Sequence, residues 1–142
     1  MSFGWSASDI VTALKLLNTV VVALKDTGGA SSDYQDVSYF LNILSTTLQH
    51  LNALQATPLD PDLAKNLEQH CAQIQGPLTA FHERISSKFE RDLGAESTRQ
   101  MLLTARRKIQ WTLSTSKEVK KLREQIGGSV AAIGIILSQQ IV

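Results

Sequence analysis

Apolar side chains return at alternating steps of four and three through most of this chain, a spacing that fits helices and not the two-residue alternation of half-buried strands. Ile10, Leu14, Leu17, Val21 and Leu24 form one such row, and Val37, Leu41, Leu44, Leu48 and Leu51 form a second. A third row, Leu63, Leu67, Cys71, Ile74, Leu78, Phe81, Ile85 and Phe89, keeps its phase across Gly76-Pro77. Each row lies on one side of a helix and has to be buried against another helix. The pattern therefore predicts an all-α fold, a single helical bundle of four to five long helices. Only 3 prolines and 8 glycines punctuate 142 residues, and an aromatic content of 6% is low for a sandwich of many short strands. With 43% hydrophobic and 19% charged residues the chain has enough apolar content for a packed core, which excludes disorder throughout.

Start and stop signals divide the chain into five segments. Ser6 caps the first helix, with Asp9 three residues on and Trp5 placed to staple onto Ile10; Gly28-Gly29 ends it. A Ser32/Gln35 capping box opens a second helix that runs to Leu54. Asp60-Pro61 reads as an N-cap followed by proline at the first helical position, opening a third helix that Gly94 terminates. Proline removes an amide donor within that helix, so a kink is expected at Gly76-Pro77. Ser97 with Gln100 opens a fourth helix through Met101, Leu102, Ala105, Ile109 and Leu113. Thr115 with Glu118 opens a fifth through Val119, Leu122, Ile126, Val130, Ile133 and Leu137. The first ten residues lack the basic stretch of a secretory leader, which predicts a cytoplasmic protein. The apolar finish at Ile141-Val142 leads us to expect that residues 1–142 are the excised N-terminal domain of a longer protein.

Catalytic motifs are missing: there is no phosphate-binding glycine loop, no nucleophile elbow and no helical zinc signature. His70 and Cys71 are neighbours, but adjacent helical residues point about 100° apart, and Cys71 lies in phase with the apolar row of the third helix. A buried structural thiol is expected, and a single cysteine rules out an internal disulfide. His50, His70 and His82 lack the spacing of a metal pair, and Asp60/Asp62 and Glu90/Asp92 diverge on their helices. No catalytic residue, metal or cofactor is expected.

The formal net charge of +1 hides a segregated distribution. Residues 1–83 hold 3 Lys+Arg against 8 Asp+Glu, whereas residues 84–123 hold 11 against 4. Within that basic block Arg106, Arg107, Lys108, Lys117, Lys120 and Lys121 are the candidate basic surface. They fit a solvated face, an acidic partner or anionic lipid headgroups. Stacking aromatics are not interleaved with them, Trp111 apart, which argues against nucleic acid. The first helix carries Lys15 as its only charge between Ile10 and Leu24, and Val11, Leu16, Val20 and Val22 lie off its apolar row. Such a helix is either central in a bundle or suited to lipid. In the last helix Gly127, Ala131, Gly134 and Ser138 form a row of small residues, for which a tight core contact is expected in water. The apolar run from Ile126 to Ser138 falls short of the ~20 residues that span a bilayer.

The opening Met1-Ser2-Phe3-Gly4-Trp5-Ser6, then Asp9-Ile10, Lys25-Asp26 and Gly28-Gly29, resembles the fungal N-terminal helical domain found ahead of NACHT-type STAND ATPase modules, a group akin to HeLo-like domains. Lys108-Ile109-Gln110-Trp111-Thr112-Leu113, with Lys117 and Val119 through Leu122-Arg123, matches its tryptophan-containing helix and basic turn. Past that turn the chain departs from the pattern: Gly127-Gly128 and an apolar run stand where a more polar, leucine-spaced helix usually follows. The resemblance implies a non-enzymatic signalling or effector domain of an immune or cell-death receptor, fused to a C-terminal sensor or NTPase module. It also implies self-association and membrane permeabilisation through the first helix, with Ile10, Leu14, Leu16, Leu17, Val20, Val21 and Leu24 as the membrane or oligomerisation residues. Recruitment from cytoplasm to membrane on activation would follow. The other reading is a soluble adaptor or autoinhibitory module whose grooves bind a helix.

Overall fold

In the computed structural model the described residues are 5–28, 32–93 and 104–139, with side chains over 5–25, 34–87 and 113–139. Among them the chain forms four helices, α1 (Ala7–Gly28), α2 (Ser32–Leu54), α3 (Pro61–Leu93) and α4 (Thr104–Gln139), and no strand. The all-α bundle expected from the apolar spacing is what the chain adopts.

Two helix starts follow the capping signals atom by atom. Ser6 Oγ accepts the amide of Asp9 at 3.1 Å, and Trp5 and Ile10 both enter the core, as the staple requires. Asp60 Oδ2 accepts the amides of Asp62 and Leu63 at 3.1 and 3.3 Å, and Pro61 takes the first helical position. α2 begins at Ser32, whose side chain lies outside the described residues, as do Ser97 and Gln100.

The predicted boundary between a fourth and a fifth helix is overturned. α4 runs unbroken through Leu113 to Glu118, and Thr115 is wholly buried inside it instead of capping an end. A capping signature needs a helix stop before it, and Leu113-Ser114-Thr115-Ser116 contains neither glycine nor proline. Thr115 also shares the buried side of α4 with Val119 and Leu122, at steps of four and three, so packing continues the helix through it. Its Oγ1 is buried with no hydrogen-bond partner. Thr115→Val removes that orphan without changing shape and is expected to raise the unfolding free energy by about 1 kcal/mol, read as a higher urea midpoint at unchanged slope.

The helices form two antiparallel hairpins packed side by side. In the first, the Gln55 side-chain amide, just past the end of α2, donates to the Trp5 carbonyl ahead of α1 at 3.1 Å. In the second, Arg84 on α3 pairs with Glu118 on α4, and Ser129 Oγ donates to Gln73 Oε1 across the same pair. Contact is most extensive within the hairpins; between them α2 meets α4 more closely than α1 meets α3. α2 and α3 occupy opposite corners, and among the described residues their Cα atoms come no nearer than 8 Å. The core lies on the bundle axis, where α2 contributes Val37, Leu41, Leu44, Leu48 and Leu51, all at most 1% exposed. α3 contributes Leu67, Cys71, Ile74, Leu78, Phe81 and Ile85, and α4 contributes Val119, Leu122, Ile126, Val130, Ile133 and Leu137. These are the predicted rows, except that Leu63 is half-buried, Leu113 at the described start of the α4 side chains is exposed, and the Phe89 side chain lies outside the described residues.

α1 departs from its predicted row. The residues it buries are Ile10, Ala13, Leu17, Val20 and Leu24, while Leu14 and Val21 are only half-buried. Both sets obey the same spacing, one phase apart. Because α1 is apolar on more than one side, its neighbours and not its own periodicity select which phase faces inward.

Candidate functional site

The hairpin arrangement leaves two seams, α1 against α3 on one side and α2 against α4 on the other, and each is an open groove. The seven candidate residues of α1 are divided by this geometry. Ile10, Leu17, Val20 and Leu24 are at most 1% exposed and belong to the core. Leu14 and Val21 are half-buried and line a polar cleft between α1 and α2, with Asn18, Asn42, Ser45 and Gln49. Leu16, also half-buried, sits in the α1/α3 groove. That groove consists of two adjoining hollows of about 350 and 240 Å³ that share Thr12, Leu16 and His82. Its floor is apolar, from Val20, Leu78 and Ile85, and Lys15, Thr19 and Ser86 line it with polar groups.

α1 is therefore neither wrapped on all sides nor free. Over Ala7–Lys25, 19 residues, it is long and apolar enough to cross a membrane, yet only 28% of that stretch is buried. Val11 and Val22 point outward at 38% and 49% exposure. A hydrogen bond from the Gln55 side chain to the Trp5 carbonyl fixes the N-terminal end of α1 against the end of α2.

On the opposite side the α2/α4 groove holds two hollows of about 370 and 330 Å³ that share Tyr39 and Ile43. The expected tight contact of the small-residue row is not what forms. Ala131, Gly134 and Ser138 are exposed and, with Gly127, line this groove. A side chain at Gly134 would meet nothing within 4 Å, and one at Gly127 only Arg123 Cγ at 3.8 Å. The larger row beside it makes the core contact, and the offset between adjacent rows turns the small residues to the rim.

The basic block is split as well. Arg84 Nε donates to Glu118 Oε2 at 2.7 Å, so one cation is spent on holding α3 to α4. Lys117 and Lys121 are exposed, Lys120 is half-buried, and Arg123 lines the α2/α4 groove beside Asp36. Arg106, Arg107 and Lys108 lie on α4, and their side chains are outside the described residues.

The chemistry-bearing residues do not assemble. Cys71 is buried, and desolvation, with Glu68 adding to it, pushes its thiol up to about 11, so it stays protonated at neutral pH. Among the described residues no three metal-ligating side chains come together; His50 lies in the α2/α4 groove and His82 in the α1/α3 groove. What the arrangement offers is surface: two grooves and one spanning-length apolar helix. Sequence reasoning named the small-residue row but not Tyr39 and Ile43 opposite it, which no motif marks. No family model matches the chain, and neither a curated protein nor a solved structure matches it.

Proposed function

We propose that this chain is a non-enzymatic N-terminal effector domain of a fungal immune or programmed-cell-death receptor, acting by self-association and by entry of α1 into membrane. The observation that carries the reading is α1 itself, a spanning-length apolar helix less than a third buried and only lightly in contact with α3. A C-terminal sensor or NTPase module that assembles would gather several copies, raising their effective concentration. Close association then favours a minor state in which the apolar stripe of α1 leaves the core for lipid. Exposed Lys117 and Lys121 favour anionic leaflets by about 1 kcal/mol each. In this reading the domain rests in the cytoplasm and moves to the membrane on activation, and α3 bends at Gly76-Pro77, where the ladder lacks one donor.

A soluble adaptor is the second reading, favoured by the two inter-hairpin grooves, each wide enough to receive side chains of a docked helix. Dye leakage from phosphatidylserine-containing vesicles separates the two. The proposal expects leakage that grows when the domain is fused to an oligomerising module and that falls severalfold with Leu16→Glu. No leakage and no cosedimentation at low salt, for the domain and for the fusion, would overturn it in favour of the adaptor.

A further inference from the structure

Of the six large apolar side chains that stand exposed among the described residues, Tyr39 and Ile43, at 70% and 39%, line the α2/α4 groove, and Ile135, at 62%, is one helical turn past Ala131, which lines it too. α4 carries no charge from Gln125 to Gln139, and in the groove it presents the small residues Gly127, Ala131, Gly134 and Ser138. Glycine costs a helix interior about 1 kcal/mol relative to alanine, and the chain gains no internal packing in return at the groove: a side chain at Gly134 would meet nothing within 4 Å. Glycines of that kind let a second backbone approach closely. We infer that the α2/α4 face binds a second copy of this chain, in a two-fold dimer with α4 antiparallel to α4 and α2 antiparallel to α2. The inference gives the self-association of the proposed function a surface, and it does not depend on the membrane step.

Self-complementarity selects the second copy. Ile43 and Ala131 line the same hollow across the groove. Ile43 is midway between Asp36 and His50 along α2, and Ala131 is midway between Gly127 and Ile135 along α4. A two-fold axis that runs across the helices at Ile43 and Ala131 brings the protruding Ile135 of one copy to the notch at Gly127 of the other. The same operation sets Asp36, at one end of the groove, against His50 of the second copy, at the other end. A carboxylate then faces an imidazole N–H twice, once at each end. Charge also fixes the direction. A parallel α4 pair would superimpose Lys117, Lys120 and Lys121 on their own copies, whereas the antiparallel pair separates Lys121 from Lys121 by about 30 Å, at 1.5 Å per residue.

Sedimentation equilibrium of the 142-residue chain, with circular dichroism to confirm the fold of each variant, tests this. Ala131→Glu and Ile43→Glu are expected to raise the dimer dissociation constant at least about tenfold, while Thr19→Glu in the α1/α3 groove leaves it unchanged. Asp36→Lys is expected to weaken the dimer, and adding His50→Asp to restore it. Ala131→Cys lies on the axis and should oxidise to a disulfide dimer, which Val22→Cys does not; buried Cys71 stays out of the reaction. A monomer at millimolar concentration, no crosslink at Ala131→Cys, or a dimer indifferent to Ala131→Glu and Ile43→Glu would overturn the interface. A monomer whose vesicle binding is lost in those two variants would do so as well, by giving the face to lipid. Vesicle leakage reads the proposed function separately, because none of these solution measurements contains a membrane.

Discussion

Val20→Glu is expected to unfold the bundle outright. Val20 is fully buried on the inner stripe of α1, between Leu17 and Leu24, which are equally inaccessible. Val20 forms the apolar floor of the α1/α3 groove with Leu78 and Ile85, so a carboxylate there has to lose its water, a cost of several kcal/mol. Domains have only about 5–15 kcal/mol in total, so most or all of the stability goes. Leu16 is four residues earlier, half-buried in the α1/α3 groove, and a glutamate at that position reaches water beside Lys15. Leu16→Glu is expected to cost less than about 1 kcal/mol in urea unfolding, since near-surface substitutions rarely exceed that. The pair therefore separates two effects that membrane assays confuse. Val20→Glu loses leakage because it loses the fold, visible by circular dichroism, and Leu16→Glu loses it with the fold intact. Equal destabilisation by the two would mean that α1 does not present the stripe described.

How far such distinctions could be read beforehand depended on how much of each helix is apolar. α2 and α3 alternate apolar rows with polar sides, so their own sequence picks the buried face, and Leu41 and Ile74 lie where the spacing puts them. α1 has apolar residues at Ile10, Val11, Ala13, Leu14, Leu16, Leu17, Val20, Val21 and Val22, so two phases satisfy the same rule. The choice between Leu14/Val21 and Ala13/Val20 belongs to α2, α4 and α3, which no local pattern encodes. Thr115-Ser116-Lys117-Glu118 failed for a related reason: a local capping signature yields to continuous burial on both sides of it. The small-residue row was legible as spacing, but whether a helix covers it depends on how the two hairpins sit against each other. Segregated charge was legible too, while its meaning changes on folding, because Glu118 neutralises Arg84 from within the basic block itself.

Phe81→Ala carries the second large effect, an expected loss of about 3–5 kcal/mol. Among the described residues Phe81 is the largest of the fully buried side chains, and alanine would leave a void that the packed core closes poorly. Its position raises the cost. Pro77 lies one turn earlier and cannot donate to the Gln73 carbonyl, so α3 has a weakened backbone ladder just ahead of Phe81. Side chains hold the helix together across that point: Leu78 and Phe81 in the core, and the Gln73 side chain accepting Ser129 Oγ from α4. Phe81→Leu keeps most of the volume and is expected to cost about 1.5 kcal/mol or less. For a chain of this length the alanine variant should melt roughly 10 °C lower, at 2–4 °C per kcal/mol. The effect extends to the proposed switch. Phe81 lines neither groove, so its loss weakens the common core without touching a binding surface. A core weakened by that amount raises the population of any state in which α1 has left it, tenfold for each 1.4 kcal/mol that the two states differ. Below its melting temperature, Phe81→Ala should therefore permeabilise anionic vesicles faster than the wild-type chain, whereas Leu16→Glu does so more slowly. Opposite signs from a buried and a groove residue are what release of α1 requires; two losses of activity would place the membrane-active element elsewhere.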